Sequence, residues 1–148
     1  MDVRFSIALP REAYTVAVVR EFVGEALRAH GICDECAFRI LLAASEACGN
    51  AVDHGAPARD YSVTTHLHSA SCVVEISHKG TGFTAARVPP PRLDAESGRG
   101  ILLMRHLVDE VDFSGSPQGD TTVRLCKTLH QGADGAAGCG RVPEPALC

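Results

Sequence analysis

The chain has 148 residues, 45% of them hydrophobic, with a net charge of −4 and a pI near 5.9. That length suits one domain with a sizeable core, and the apolar content excludes wholesale disorder. The 14 basic residues are scattered, which argues against a nucleic-acid or anionic-membrane surface.

No run approaches the ~18 apolar residues that span a bilayer, and the N-terminus lacks a signal-peptide core. The expectation is a soluble, cytoplasmic protein. In such a setting the seven cysteines read as free thiols rather than as a disulfide framework.

In chain order, "VRFSIALP" alternates Val3, Phe5, Ile7 and Leu9 before Pro10, the pattern of a half-buried strand. From Arg11 to His30 the residues Val16, Val19, Val23 and Leu27 repeat at helical spacing, and Gly31 is placed to end that helix. Cys33 and Cys36 follow with C-x-x-C spacing, three residues after His30. A four-ligand zinc site needs more, and no second C-x-x-C or H-x-x-H follows. The pair therefore reads as small apolar side chains at a helix entry.

That second helix is expected from Asp34, as N-cap, to His54. Its buried stripe is Ala37, Leu41, Ala44, Cys48 and Ala51. Glu46 and Asn50 stand one above the other on a different face, four residues apart. "GAPARD" ends the helix, and "YSVTTHLH" and "SCVVEIS" make two strands joined by a short turn. His66 and His68 share a strand face there; with no third ligand expected nearby, they read as a solvated sheet face.

"HKGTGF", His78 to Phe83, leads into residues 84–97, a loop of about fourteen residues carrying three successive prolines. A third helix is expected from Gly98 to Val108, then a terminal hairpin of "VDEVDF" and "TTVRLCKTL" around "SGSPQGD". From Gln131 the composition turns to Gly, Ala and Pro without periodicity, so 1–130 reads as the domain and 131–148 as a flexible tail.

Three pieces together describe a nucleotide site. A triphosphate needs backbone N–H groups at close range, which Gly98 and Gly100 at a helix start permit. A magnesium ion needs a hard oxygen ligand, which the Asn50 amide supplies. Glu46, one turn away, is placed to accept a proton from an attacking hydroxyl or water. Gly80 and Gly82 let the chain bend where a flat base would slide past.

At "SEACGNAVDHG", "GTGF" and "GRGILLM" the sequence resembles the GHKL ATPase superfamily, and within it the serine-kinase anti-sigma factors. "TTVRL", opening with Thr121, is similar to the family's last strand, and the resemblance covers about residues 3 to 129. It implies an α/β two-layer sandwich, a mixed, mostly antiparallel sheet covered on one face by helices. It further implies ATP and Mg2+ as cofactors, with Glu46 as general base and Asn50 as metal ligand. His78, Gly80, Gly82, Gly98, Gly100 and Thr121 would line the nucleotide. The implied partners are a sigma factor and a STAS-domain anti-anti-sigma factor, with homodimerisation open.

The family's G1 box normally reads D-x-G-x-G-F, and its Asp position is here His78. A neutral imidazole accepts one hydrogen bond; an imidazolium accepts none. Loss of a bond to a charged acceptor costs about 1.5–3 kcal/mol. A nucleotide-independent binding module that sequesters its partner is therefore the alternative reading. A detached histidine-kinase ATPase domain fits less well, because the chain has no phospho-acceptor helix pair.

Overall fold

The computed structural model describes residues 2–80 and 96–130. Its elements run β1 (Val3–Pro10), α1 (Thr15–Ala29), α2 (Asp34–His54), β2 (Asp60–Leu67), β3 (Ser71–His78), α3 (Glu96–Leu107), β4 (Glu110–Gly115) and β5 (Thr121–Thr128). The strands form one sheet in the order β1-β2-β3-β5-β4. Every pairing among the described residues is antiparallel, in keeping with the mostly antiparallel sheet expected. The reason is β5: β3 and β4 run parallel to each other, but β5 lies between them and pairs antiparallel with both.

The strand pattern decides which face is covered. Tyr61, Val63, Thr65 and Leu67 alternate as buried residues along β2, and the register sets Val63 opposite Ile76 and Val74 opposite Leu125. This face packs under α2. On the other face, hydroxyls pair across strands, Ser6 with Thr64 at 2.8 Å and Ser77 with Thr122 at 2.9 Å. The fold is thus two layers, as the resemblance implied.

Helix α2 is 21 residues, about 31 Å long, and touches α1, α3, β3 and β5. Small residues let it approach so closely: Ala43, Ala44, Ala47, Cys48 and Ala51 are all buried. Around them Leu27, Ile40, Leu67, Ile76 and Leu125 are almost wholly inaccessible. Burial of each side chain of this size contributes about 1.5–3 kcal/mol. One polar link crosses the core, the 2.7 Å hydrogen bond between the Thr15 and Tyr61 hydroxyls.

Several boundaries differ from expectation. α1 starts at Thr15, not Arg11, because residues after Pro10 turn tightly, with Thr15 N–H donating to the Glu12 carbonyl at 3.0 Å. It ends as expected, with Gly31 at φ 75°, a conformation that costs a glycine little. The N-cap of α2 is Cys33, whose Sγ accepts from Cys36 N–H, and Asp34 is already helical. Leu41 is only half-buried because it points to α1, where a Cβ on Gly24 would meet its Cδ1 at 3.3 Å.

α3 starts at Glu96, two residues before Gly98, so Glu96 and Ser97 leave the expected loop. The rest of the loop, Gly82 and the tail lie outside the described residues. No helix among the described residues is long and apolar enough to cross a membrane. Cys33, Cys36, Cys48 and Cys72 are free thiols, whereas Cys126 is disulfide-bonded.

One surface feature was not legible as a stripe. Tyr14, Val18 and Phe22, four residues apart on one side of α1, are exposed, and Phe22 meets Phe5 edge-on at 5.6 Å.

Candidate functional site

The side chains of Glu46 and Asn50 are half-buried on the α2 face that meets α3. Among the described residues neither takes part in a hydrogen bond or ion pair. The neighbour that matters is Gly100. A Cβ placed there would stand 2.9 Å from Glu46 Oε2 and 3.8 Å from Asn50 Nδ2. Only a glycine lets α3 approach the two side chains without moving the carboxylate. A cleft of about 290 Å³ opens here, lined by Glu46, Arg99, Gly100 and Leu103.

The two glycines of α3 are not equivalent. Gly98 lies in the first turn, where helical geometry leaves backbone N–H groups without an intrahelical acceptor. Gly100 lies one residue beyond that turn, its N–H directed to the Glu96 carbonyl by the helix ladder. Its missing side chain serves close approach to Glu46.

A second group gathers at the ends of β3 and β5. His78 and Thr121 are register partners and so share the helix-covered face. Thr121 Oγ1 is buried and has no hydrogen-bond partner among the described residues. Such an orphan costs about 1–3 kcal/mol.

Beside it, Gly80 N–H donates to Asp120 Oδ1 at 2.8 Å. A Cβ on Gly80 would fall 2.0 Å from the Gln118 carbonyl oxygen, so the β4–β5 turn closes on a position only glycine fills. A cleft of about 520 Å³ borders His78, Lys79, Gly80 and Asp120.

His78 is held neutral. Burial pushes its pKa down from the usual imidazole value, the nearby Arg11 guanidinium adds to this, and Asp120 opposes it. Arg11 is fixed by Nε donating to the Ala58 carbonyl at 2.7 Å and by a bond to the Val52 carbonyl. A neutral ring keeps one nitrogen free to accept.

The matching family model describes a histidine kinase-like ATPase domain and covers residues 9–127. The chain belongs to this family. It is 31% identical to the anti-sigma F factor of Bacillus subtilis (strain 168), over 87% of this chain and 92% of the relative. The same figures hold for the anti-sigma F factor of Bacillus velezensis (strain DSM 23117 / BGSC 10A6 / LMG 26770 / FZB42).

A solved structure of the RsbU and RsbW domains of Rv1364c from Mycobacterium tuberculosis shares the fold, with a TM-score of 0.65 and 21% identity. The match covers 84% of this chain and 32% of that one, so the chain spans about a third of its length.

Within this family fold the structure brings Glu46 and Gly100 together at one cleft, with Asn50 beside them, and His78 and Gly80 together at another, with Thr121 the register partner of His78. Sequence reading missed Arg99, Arg11 and Asp120. An exposed arginine on a helix carries no local signal, and the bond of Asp120 to Gly80 spans 40 positions. It also missed a third potential ligand near His66 and His68. Asp2 Oδ1 lies 2.5 Å from His66 Nε2, because the β1–β2 register ends with Val3 opposite Leu67 and leaves Asp2 beside the histidines.

Proposed function

We propose that the chain is an anti-sigma factor that binds ATP with magnesium, sequesters a sigma factor and phosphorylates a serine of a STAS-type anti-anti-sigma partner. One observation carries the nucleotide part: the buried Thr121 hydroxyl, without a partner among the described residues, opposite a neutral His78 in a histidine kinase-like ATPase fold. The likeness to anti-sigma F factors supports the partner part.

The residues present fit the cofactors. Asn50 offers an amide oxygen to magnesium, which takes few protein ligands and keeps its waters. Gly98 contributes a free backbone N–H at the positive end of α3, suited to phosphate. Thr121 and His78 offer a hydroxyl and a ring nitrogen to the base. When bound, magnesium-ATP supplies the phosphoryl group for transfer.

Glu46 accepts the proton of the attacking serine hydroxyl at a carboxylate oxygen. Gly100 sets the place of that oxygen, since it leaves the carboxylate room at close range. Arg99, on the same cleft, brings a positive charge to the phosphate side. Association of two copies through the apolar Tyr14–Val18–Phe22 stripe and residence in the cytoplasm belong to this reading.

The test is to incubate the full chain with γ-labelled ATP, magnesium and candidate STAS proteins. Label should appear on a STAS serine and vanish for Glu46→Gln. His78, at the family's Asp position, favours a second reading, a nucleotide-free binding module. Retention of a sigma factor without labelling or nucleotide binding would decide for it.

A further inference from the structure

The motif that the nucleotide site does not absorb is the C-x-x-C pair. Cys33 caps α2 and Cys36 lies one turn in. His30, the histidine nearest in sequence, is not beside them functionally: its Nδ1 bonds the Ala26 carbonyl at 2.8 Å. His130, just after β5, takes that place. Its Nδ1 lies 3.9 Å from Cys33 Sγ, and the ligand atoms of Cys33, Cys36 and His130 all lie within 4.8 Å of one another.

We propose that Cys33, Cys36 and His130 bind a thiophilic divalent cation, zinc by ligand type, which ties the entry of α2 to the end of β5. Zn–S bonds of ~2.3 Å and Zn–N bonds of ~2.0–2.1 Å at tetrahedral angles set S···S at about 3.8 Å and S···N at about 3.5 Å. The observed sulfur–nitrogen gap closes to this with a shift of a few tenths of an ångström. C-x-x-C is the usual spacing for two ligands of such a site.

Two thiolates and an imidazole select zinc over magnesium or calcium, which prefer oxygen. On binding, each thiol gives its proton to solvent, and the two thiolates balance the charge of the ion. Water fills the fourth position, reached through half-buried Cys33 and His130.

The surroundings are built for sulfur. Cys36 N–H already donates to Cys33 Sγ at 3.4 Å, the kind of outer contact that orients a metal-bound thiolate. The Lys127 ammonium is buried nearby, donating to the Thr128 carbonyl at 2.7 Å. The site is separate from the nucleotide cleft: Cys36 and Glu46 are ten residues apart on α2, about 15 Å along its axis.

The experiment titrates Co2+ into the full chain, kept reduced with a phosphine, and follows thiolate-to-cobalt charge-transfer and tetrahedral d–d absorption. One equivalent should bind, Zn2+ should displace it, and zinc should raise the melting temperature. Cys33→Ser and His130→Ala should each weaken binding by ~100-fold or more, beyond the usual effect of losing an outer-shell partner. A Cys139→Ser/Cys148→Ser chain should keep the full signal.

Absent absorption, unchanged affinity in His130→Ala, or loss in the tail variant would overturn the site. Metal-free melts check that each variant folds. If Cys33→Ser does not, the half-buried His130→Ala decides.

Discussion

Replacement of Gly100 by alanine separates stability from chemistry. In the middle of a helix alanine is favoured over glycine by about 0.8–1 kcal/mol, so α3 should gain. The new Cβ, however, arrives 2.9 Å from Glu46 Oε2, while Asn50 Nδ2 at 3.8 Å stays in ordinary contact. The carboxylate must retreat by about half an ångström, which the end of a flexible side chain does without harm to the fold. A 1 Å misplacement of a reacting group can cost ~10²-fold in rate, so half of that should cost about tenfold.

Urea melts should show Gly100→Ala to be as stable as wild type or up to about 1 kcal/mol more stable. Magnesium-ATP affinity should change little, and single-turnover transfer from labelled ATP should slow about tenfold. Unchanged transfer, or a destabilised protein, would refute the role given to this contact.

Glu46→Gln keeps size and removes the base, so phosphotransfer should fall by about 10²–10⁴-fold while ATP still binds in a filter assay; intact turnover would rule that base out. For His78, the lowered pKa means that the folded protein resists a proton that the unfolded chain accepts. The stability tied to this ring is fully present above the usual imidazole value near pH 6.5 and is lost as pH falls below it. Melting curves from pH 7.5 to 5 should show that loss, reduced in His78→Gln, and nucleotide affinity should fall over the same acid range. His78→Asp should tighten ATP and ADP alike by roughly ten- to a hundredfold, as one charge-assisted bond is regained.

Much of this molecule could be read locally, and what could not depends on contacts between elements. The pairing of Glu46 with Asn50 is a helical offset, so the sequence shows it directly. The strand alternations of β2 and β3 show equally well. The insertion of β5 between β3 and β4 does not, since antiparallel order across a sheet is set by pairing partners far apart in the chain. The same holds for Thr121 facing His78, which needs a register, and for Gly100 against Glu46, which needs the approach of α3 to α2.

Gly100 was read as a phosphate-binding amide; that its α-carbon also lies close against the Glu46 carboxylate could not be read from the sequence. Cys33 and His130, 97 positions apart, meet only because β5 ends beside the start of α2. The exposed α1 stripe escaped notice because the same helix buries Val19, Val23 and Leu27 on its other side.

The central claim is that a nucleotide occupies the face shared by His78 and Thr121, and Thr121→Val tests it most directly. Valine keeps the shape and removes a hydroxyl that is buried without a partner among the described residues. In the free protein the change should therefore be neutral or stabilising. Calorimetric titration with magnesium-ATP should show saturable, one-to-one binding by wild type, weakened several-fold or more in Thr121→Val. Equal affinity in the two proteins, or no binding by wild type at millimolar ATP, would contradict the account.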